Sequence, residues 1–439
     1  MCVVSEASDA QVPETASDAA LRLASAEVPP PIVAVARRLQ GRGHAAVLVG
    51  GAVRDALLGL PASDWDLATS ATPEEVQALF RHTIPTGLEH GTVTVMVRRH
   101  GIGTDEPAEP VEVTTFRGEG AYLDGRRPTS VTFHRDLRED LARRDFTVNA
   151  FAWDPVDQVF SDPFDGLSDL RRGIIRAVGD PHARFQEDGL RTMRAVRLCA
   201  TRRFCLEPAT QEAIAPALSV LDRVSRERVT VELRKLLEAA EPSIGLRPML
   251  ATGMWSHVLP EVPEAEVEAA IAAVDALPRV FELRLARLAW PAAHSGDEGR
   301  LRVLTVVDER LRLSRAERAK IVALTSAAAD AVAHAHEEVQ IRRCAAALGR
   351  EHVPGALLVA GLNAERRAAI EQAIAGAPLT VGELAIRGRD LIAAGLVKPG
   401  RIVGRVLEGL LDRTLEQPAL NEHETLASLA PEVLAALGD

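Results

Sequence analysis

The sequence has few aromatic residues, few cysteines and no long apolar run. Phe, Trp and Tyr together make up 3% of its 439 residues, which argues against a base-stacking platform of the RNA-recognition-motif type. The four cysteines include no Cys-x-x-Cys pair, so we expect no zinc or disulfide framework. Because no apolar run approaches the length of a membrane span and the N-terminus lacks the basic start of a signal peptide, we expect a cytoplasmic protein without a membrane partner.

Positive charge is also scarce, and it is unevenly placed. The formal net charge is −11 at pH 7, which is unusual for a protein that binds nucleic acid. Residues 171–235 nevertheless carry more basic than acidic side chains, and nearly all of the basic ones are arginine. Since local patches rather than totals attract phosphate backbones, the composition is compatible with RNA binding.

The character of the sequence changes near residue 170. Before that point, residues 92–97, 111–116 and 130–133 are typical of strands, and a capping box at Thr72 predicts a helix through Phe80. After residue 180, Ala, Leu, Arg and Glu recur at helical spacing, interrupted by Pro and Gly. The predicted fold class is therefore α+β, with a mixed α/β head followed by an all-helical remainder.

The most informative segment is Leu48–Thr69, LVGGAVRDALLGLPASDWDLAT. A buried strand at Ala46–Val49 is expected to turn at Gly50 and Gly51 and to enter a helix over Ala52–Leu58. Because glycines at a helix start favour the close approach of a phosphate, we predict that this turn binds one.

Two aspartates follow in the same segment. Asp64 and Asp66 are predicted to lie on a second strand, where residues i and i+2 point to one face. Two neighbouring carboxylates repel one another unless cations hold them, and oxygen ligands of this kind suit Mg²⁺. The whole segment resembles the signature of the class II tRNA nucleotidyltransferase and bacterial poly(A) polymerase family, within the polymerase-beta superfamily.

A second motif, RRDFTVNA over residues 143–150, is similar to the family's Arg-Arg-Asp-Phe-Thr-x-Asn-Ala element. An arginine fork can hold triphosphate oxygens, and a neighbouring carboxylate can accept a hydrogen bond from a ribose hydroxyl. The resemblance implies that Arg144 contacts phosphate, that Asp145 contacts the sugar and that Asn149 supports the pocket. The alternative is an ordinary surface ion pair at a helix start.

Residues 111–131 contribute two further predictions. Glu112, on the expected strand, is the candidate for the third carboxylate that polymerase-beta-like sites need, the alternative being a glutamate that faces water. The loop GEGAYLDGRRPTSV over residues 118–131 resembles the family's flexible loop for adding the final adenosine, or else it is a plain hairpin loop. Its matching residues, Asp124, Arg126, Arg127 and Pro128, argue against an enzyme that adds only cytidines.

The fourth motif, FQEDGLRTMRAVR over residues 185–197, is predicted to be one helix on which a charged residue recurs every third position. An Asp acceptor beside an Arg donor matches the amine and ring nitrogen of cytosine and adenine and mismatches uracil and guanine. The motif is similar to the family's Glu-Asp-x-x-Arg-x-x-Arg-x-x-Arg element, which binds the incoming nucleotide. A helix with i,i+3 ion pairs is the alternative. The charged residues concerned are Asp188, Arg191, Arg194 and Arg197.

The resemblance implies an enzyme that adds C and A from CTP and ATP to the 3′ end of tRNA, with a polymerase-beta-type head and a helical neck, body and tail. Two Mg²⁺ ions are expected at Asp64 and Asp66, and phosphate contacts at Gly50, Gly51 and Arg54. An A-adding enzyme, a poly(A) polymerase and a non-catalytic RNA-binding relative stay as alternatives, and the oligomeric state stays open. The segments expected are a flexible acidic tail over 1–30, the head over 31–170, the neck over 171–235, the body over 236–340 and a tRNA-binding tail over 341–439.

Overall fold

The computed structural model describes residues 12–62, 64–88, 91–97, 108–119 and 131–437. It divides into two compact units, Met1–Val258 and Leu259–Asp439. The boundaries predicted at residues 170, 235 and 340 stay predictions. Residues 120–130, which hold Asp124, Arg126, Arg127 and Pro128, lie outside the described residues.

The first unit is built around a mixed sheet of seven strands in the order β3-β4-β5-β2-β1-β8-β9. Neighbours are antiparallel except for β2 and β5, which run parallel. Two small pairs, β6–β7 and β10–β11, complete the strands. The bounds are β1 Ala46–Val49, β2 Asp66–Thr69, β3 Thr83–Gly87, β4 Thr92–Val97, β5 Glu109–Thr115, β6 Arg117–Glu119, β7 Val131–Phe133, β8 Ala152–Asp154, β9 Val159–Ser161, β10 Ile174–Ile175 and β11 Cys205–Leu206.

Helices surround this sheet and make up most of the unit after residue 165. The capping box predicted at Thr72 is confirmed, because its side chain accepts from the Glu75 amide at the start of a helix that ends at Leu79. The bounds are α1 Ala16–Ala24, α2 Pro30–Gln40, α3 Gly51–Leu57, α4 Pro73–Leu79, α5 Leu137–Ala142, α6 Gly166–Arg172, α7 Pro181–Glu187, α8 Leu190–Arg202, α9 Pro208–Glu212, α10 Leu218–Leu221, α11 Arg226–Leu237, α12 Ser243–Ala251 and α13 Trp255–Val258.

Two expectations about the backbone are corrected in this unit. Residues 16–24 form α1 rather than a flexible tail, because Thr15 caps the helix and Leu23 is fully buried. The predicted single helix over 185–197 is interrupted, since Asp188 has extended backbone angles between α7 and α8.

The core beneath the RRDFTVNA motif joins the sheet to the helices. Val49 of β1, Ala68 of β2 and Phe116 pack together with Leu141, which precedes the motif, and Ala150, which is its last residue. Because both ends of the motif are anchored in one apolar cluster, the charged side chains between them are held at a fixed place on the sheet.

The described elements of the second unit are helical, as predicted. In α19, the buried Arg342 donates to the backbone carbonyls of Leu415 at 2.7 Å and Glu416 at 3.1 Å, and so satisfies the end of a long helix. No helix in the described parts of the chain is long and apolar enough to cross a membrane. The bounds are α14 Glu264–Val274, α15 Phe281–Ala293, α16 Asp297–Thr305, a π-helix at Val306–Arg310, α17 Arg315–Leu324, α18 Ala327–His334, α19 Glu338–Leu348, α20 Val353–Val359, α21 Ala364–Ile374, α22 Gly388–Ala393, α23 Arg401–Glu416 and α24 His423–Ala436.

Candidate active site

The Gly-Gly turn lies directly against two charged side chains. Gly50 follows β1 with φ +81° and ψ −146°, a conformation that only glycine adopts readily. A Cβ at this position would lie 3.2 Å from Nη1 of Arg144 and 3.4 Å from Oδ2 of Asp66. The backbone angles therefore require glycine, and a Cβ would in addition crowd the Arg144 guanidinium.

Three carboxylates gather beside this turn. Asp66 is the first residue of β2, and the parallel register of Leu67 with Val113 places it beside Glu112 of β5. Asp64 precedes β2, so the prediction that it lies on the strand is wrong, although it still acts electrostatically on Asp66. Burial, followed by the charges of Glu112 and Asp64, raises the pKa of Asp66 against the opposing effect of Arg144.

This arrangement fits a cation that other groups help to hold. Within the described ranges, no group of three or more His, Cys, Asp or Glu side chains is placed to hold a metal ion. Mg²⁺, however, commonly binds through one or two carboxylates and completes its shell with water and substrate phosphates. Burial and the neighbouring acids disfavour the ionised form of Asp66 and raise its pKa, and a bound cation would favour that ionised form.

Asp140 organises the arginines of the RRDFTVNA motif. It is 1% exposed and accepts bonds from Arg143 at 2.8 and 3.0 Å and from Arg144 at 3.3 Å. It also accepts from the Arg117 amide at 3.3 Å. Burial alone raises the pKa of Asp140, but the two arginines bring it below its ordinary value. Asp140 was not predicted from the sequence, although its i,i+3 and i,i+4 spacing to Arg143 and Arg144 is typical of an ion pair on one helix face.

These residues line a cavity of about 250 Å³, which we call the Asp66 cavity. Asp140 holds the guanidinium groups of Arg143 and Arg144 in the wall of this cavity. Their positive charge therefore faces the carboxylate of Asp66 without a further loss of side-chain entropy. The described lining residues are Val49, Asp66, Leu67, Ala68, Thr114, Arg117, Asp140, Arg143 and Arg144.

A second cavity, of about 230 Å³, shares Arg143 and Arg144 with the first; we call it the Asp188 cavity. The predicted helix is interrupted at Asp188, and the next residue, Gly189, packs so closely that a Cβ there would lie 2.4 Å from the Leu221 amide nitrogen. Despite this interruption, the structure brings Asp188 together with Arg191 and Arg194. The described lining residues are Arg143, Arg144, Asp145, Asp188, Leu190, Arg191, Arg194 and Arg228.

Arg191 is held in place from several sides. Its guanidinium donates to the carbonyls of Arg184 at 2.9 Å and Arg143 at 3.0 Å, and it pairs with Glu187. Arg197, by contrast, is not among the described residues that line either cavity. It pairs with the buried Glu232 of α11 at 2.5 Å, so the structure gives it a role in helix packing.

Asp145 is buried at the boundary between the head motif and α8. Its Oδ2 accepts from Arg194 at 2.6 Å and its Oδ1 accepts from Asn149 at 2.9 Å. Burial opposes ionisation, but Arg194 and Asn149 hold the pKa of Asp145 well below its ordinary range. Asn149 in turn accepts from Arg54, which is 4% exposed and also bonded to Asp55. These contacts favour a supporting role for Arg54 over the predicted contact with phosphate.

Comparison with known proteins decides the family. Residues 46–176 match the family described as the poly A polymerase head domain, and residues 203–266 match a probable RNA and SrmB-binding site of polymerase A. A CCA-adding enzyme of Limosilactobacillus fermentum is 38% identical over 417 residues, which cover 91% of this chain and 96% of the relative. The chain belongs to the CCA-adding enzyme family. A member from Lactiplantibacillus plantarum is also 38% identical, over 89% of this chain and 93% of its own length.

Solved structures of CCA-adding enzymes agree with this assignment. The Bacillus stearothermophilus CCA-adding enzyme in complex with CTP is 32% identical with a TM-score of 0.71, and the match covers 93% of this chain and 99% of that one. The Thermotoga maritima CCA-adding enzyme complexed with tRNA is 22% identical with a TM-score of 0.68, covering 95% and 98%, and it supports the fold alone.

Membership of the CCA-adding enzyme family confirms the predicted family, the α+β fold class and the nucleotidyltransferase class of enzyme. Nucleotidyltransferases of this family are generally metal-dependent. The roles of individual residues are not tested by these comparisons and stay predictions.

Proposed function

We propose that this chain adds C and A from CTP and ATP to the 3′ end of tRNA and releases pyrophosphate. The observation that carries the proposal is the pair of adjoining cavities, one lined by Asp66 and the other by Asp188 and Arg191, which share Arg143 and Arg144. A triphosphate lying along the shared arginines would place its reacting phosphorus near Asp66 and its base near Asp188. Relatives with the CCA-adding name and the structure in complex with CTP support this reading.

At the Asp66 cavity, Asp64 and Asp66 are the residues that would hold two Mg²⁺ ions. Bound there, the ions would supply charge neutralisation for the triphosphate and would favour ionisation of the RNA 3′-hydroxyl. Glu112 lies beside Asp66, and we assign it the role of orienting that hydroxyl. Arg144, fixed by Asp140 and close to Gly50, would hold phosphate oxygens.

At the Asp188 cavity, protein side chains choose the base. Asp188 would accept from the exocyclic amine of cytosine or adenine, and Arg191 would donate to the adjacent ring nitrogen. Other bonds already fix the Arg191 guanidinium. With uracil or guanine, the Arg191 donor would therefore face a ring N–H donor, and the Asp188 acceptor would face a carbonyl acceptor. Such unmatched buried groups are costly, which gives the site its selectivity.

Asp145 remains our candidate for the ribose contact. Its two oxygens already accept from Arg194, Asn149 and the Phe146 amide, so a ribose hydroxyl has to share an oxygen with these donors. Arg194 then acts through Asp145, and Asn149 links Asp145 to Arg54. The segment over residues 341–439 is proposed to contact tRNA.

The function is tested with purified protein, Mg²⁺, labelled CTP and ATP, and three RNAs: tRNA ending at the discriminator base, tRNA ending in CC, and an unstructured RNA. We expect three added nucleotides on the first and one on the second. Addition to the CC-ended tRNA alone would indicate an A-adding enzyme, and long ladders on the unstructured RNA a poly(A) polymerase. No product on any RNA would contradict the proposal and favour a non-catalytic relative.

A further inference from the structure

Arg228 reaches the Asp188 cavity from an unexpected part of the chain. It is the third residue of α11, inside the segment that matches a probable RNA-binding region. Its side chain nevertheless lines the same cavity as Arg144 and Asp145 from the head motif. Among the described residues that line this cavity, Arg228 is the one that this second family segment contributes.

The partner of Arg228 is the carboxylate that we place against the base. Nη2 of Arg228 donates to Oδ2 of Asp188 at 2.9 Å, while Oδ1 of Asp188 accepts from the Leu190 amide at 3.0 Å. Asp188 has φ −146° and ψ 109°, outside both α7 and α8, so no helix fixes its side chain. The orientation of the carboxylate is thus defined by one bond from the start of α8 and one from α11.

Without the second bond, the carboxylate has other partners to choose from. Arg191 and Arg194 line the same cavity, and a freely rotating Asp188 carboxylate would accept a hydrogen bond from either of them. A carboxylate that turns toward either arginine no longer presents an oxygen to the amine of the base. Since selectivity depends on a correctly aimed acceptor, loss of this restraint should reduce the discrimination between bases more than it reduces overall binding.

We propose that Arg228 is a positioning residue for base selection, which holds Asp188 in the orientation that accepts from cytosine or adenine. The inference rests on the proposed function, because it assigns a role in choosing the nucleotide that is transferred. It also gives α11 a role besides RNA contact: the same helix that pairs Arg197 through Glu232 fixes the selecting carboxylate. At 37% side-chain exposure, Arg228 can be replaced without opening the core.

The test compares the kcat/KM ratio of CTP to UTP, and of ATP to GTP, in the wild type, Arg228→Ala and Arg228→Lys. We expect Arg228→Ala to lower both ratios by roughly tenfold with the KM for tRNA unchanged, and Arg228→Lys to restore part of the ratio, since a lysine still donates to a carboxylate. Lys235→Ala removes a positive charge from an exposed position of the same helix and should leave both ratios unchanged. Unchanged ratios in Arg228→Ala together with a raised KM for tRNA would overturn the proposal and place Arg228 on the RNA.

A double mutant separates positioning from direct contact with the nucleotide. In an Asp188→Ala background, Arg228→Ala should change the ratios no further, because its only route to the base has been removed. A further loss of similar size would contradict the positioning role. Equilibrium binding of CTP and UTP without RNA gives the same ratio independently of turnover, so inactivity of the wild type would count against the proposed function and not against Arg228.

Discussion

The two cavities share a wall but are built in different ways. The Asp66 cavity takes its geometry from the backbone: the β2–β5 register brings Asp66 beside Glu112, and Gly50 closes the space around them. The Asp188 cavity takes its geometry from side chains, because Arg191 and Arg194 are each held by carbonyl or carboxylate partners. Chemistry and selection are thus supported by different parts of the fold.

The acids that line the two cavities also differ in how their charge is balanced. The pKa of Asp66 is raised, whereas the pKa values of Asp140 and Asp145 are held low by arginines. Asp140 and Asp145 therefore use their charge to orient arginines, whereas burial and neighbouring acids disfavour the ionised form of Asp66. Substitution of Asp66 should consequently damage catalysis without loss of stability, whereas substitution of Asp140 or Asp145 should lower affinity or selectivity together with stability.

The largest effect is expected from the acids of the Asp66 cavity. Asp64→Ala and Asp66→Ala should each lower kcat for transfer by on the order of 10³-fold, because a bound metal ion contributes several kcal/mol of charge stabilisation. Binding of tRNA, measured by filter retention, should not change. Asp157→Ala, an exposed position between β8 and β9, is the matched control and should remain active. Full activity in both site variants would refute the metal assignment.

The next effect concerns the two arginines of α8 that the sequence grouped together. Arg191→Ala should raise incorporation of UTP and GTP relative to CTP and ATP by roughly tenfold or more, because it removes the fixed donor. Arg197→Ala should leave base choice unchanged but destabilise the protein by about 3 kcal/mol, since it leaves the buried Glu232 unpaired. Misincorporation assays and urea unfolding of the two variants check this contrast. Equal loss of fidelity in both would restore Arg197 to the base-selecting group.

A smaller effect is expected where the cavities meet. Asp140→Asn keeps the size of the side chain but removes the charge that orients Arg143 and Arg144. We expect the KM for CTP and ATP to rise by about tenfold with a smaller change in kcat, because triphosphate binding loses its preformed partners. The KM for tRNA is the internal control. A fall in kcat alone would show that Asp140 acts on the chemical step instead.

The sequence was sufficient for the family and the fold class, because these follow from local patterns. Residues 46–57 form the predicted strand, the turn at Gly50 and the helix in sequence order. The N-terminal helix α1 was missed although Thr15 and Asp18 form a capping box, because the acidic composition of the first residues was given more weight than this local signal.

The arrangement of the side chains around the Asp188 cavity could not be predicted from local sequence patterns. Three-residue spacing predicted one charged row, but the helix is interrupted at Asp188, and the close packing of Gly189 on the Leu221 backbone is a feature of tertiary structure. Arg228 and Glu232, which pair with Asp188 and Arg197, lie about forty residues further along the chain. Their pairing depends on the packing of α8 against α11, which no local pattern specifies.

The pH dependence of stability should report the acids that hold arginines. A carboxyl whose pKa is lower in the folded protein than in the unfolded chain stabilises the fold at pH values above the unfolded-state pKa. This stabilisation is lost as the pH falls toward the pKa of the folded state. For Asp140 and Asp145 the loss should begin below about pH 4. Urea unfolding of the wild type and of Asp145→Asn between pH 7 and pH 3 measures it, and the variant should show the shallower slope. Parallel slopes of stability against pH in the two proteins would mean that the partners of Asp145 do not lower its pKa.

The smallest effect has the opposite sign and separates the two cavities most clearly. Because the pKa of Asp66 is raised, its ionised form is disfavoured in the folded protein, and Asp66→Asn should stabilise the metal-free protein at pH 7. The gain should be only a few tenths of a kcal/mol, since Asp66 keeps contact with solvent despite the partial burial of its carboxylate, and solvent screens the neighbouring charges. Thermal unfolding in the presence of a chelator detects it, and excess Mg²⁺ should reverse the order of the two proteins, because a cation stabilises the wild type alone. Destabilisation by Asp66→Asn in the chelator would show that the protein itself already balances the Asp66 charge.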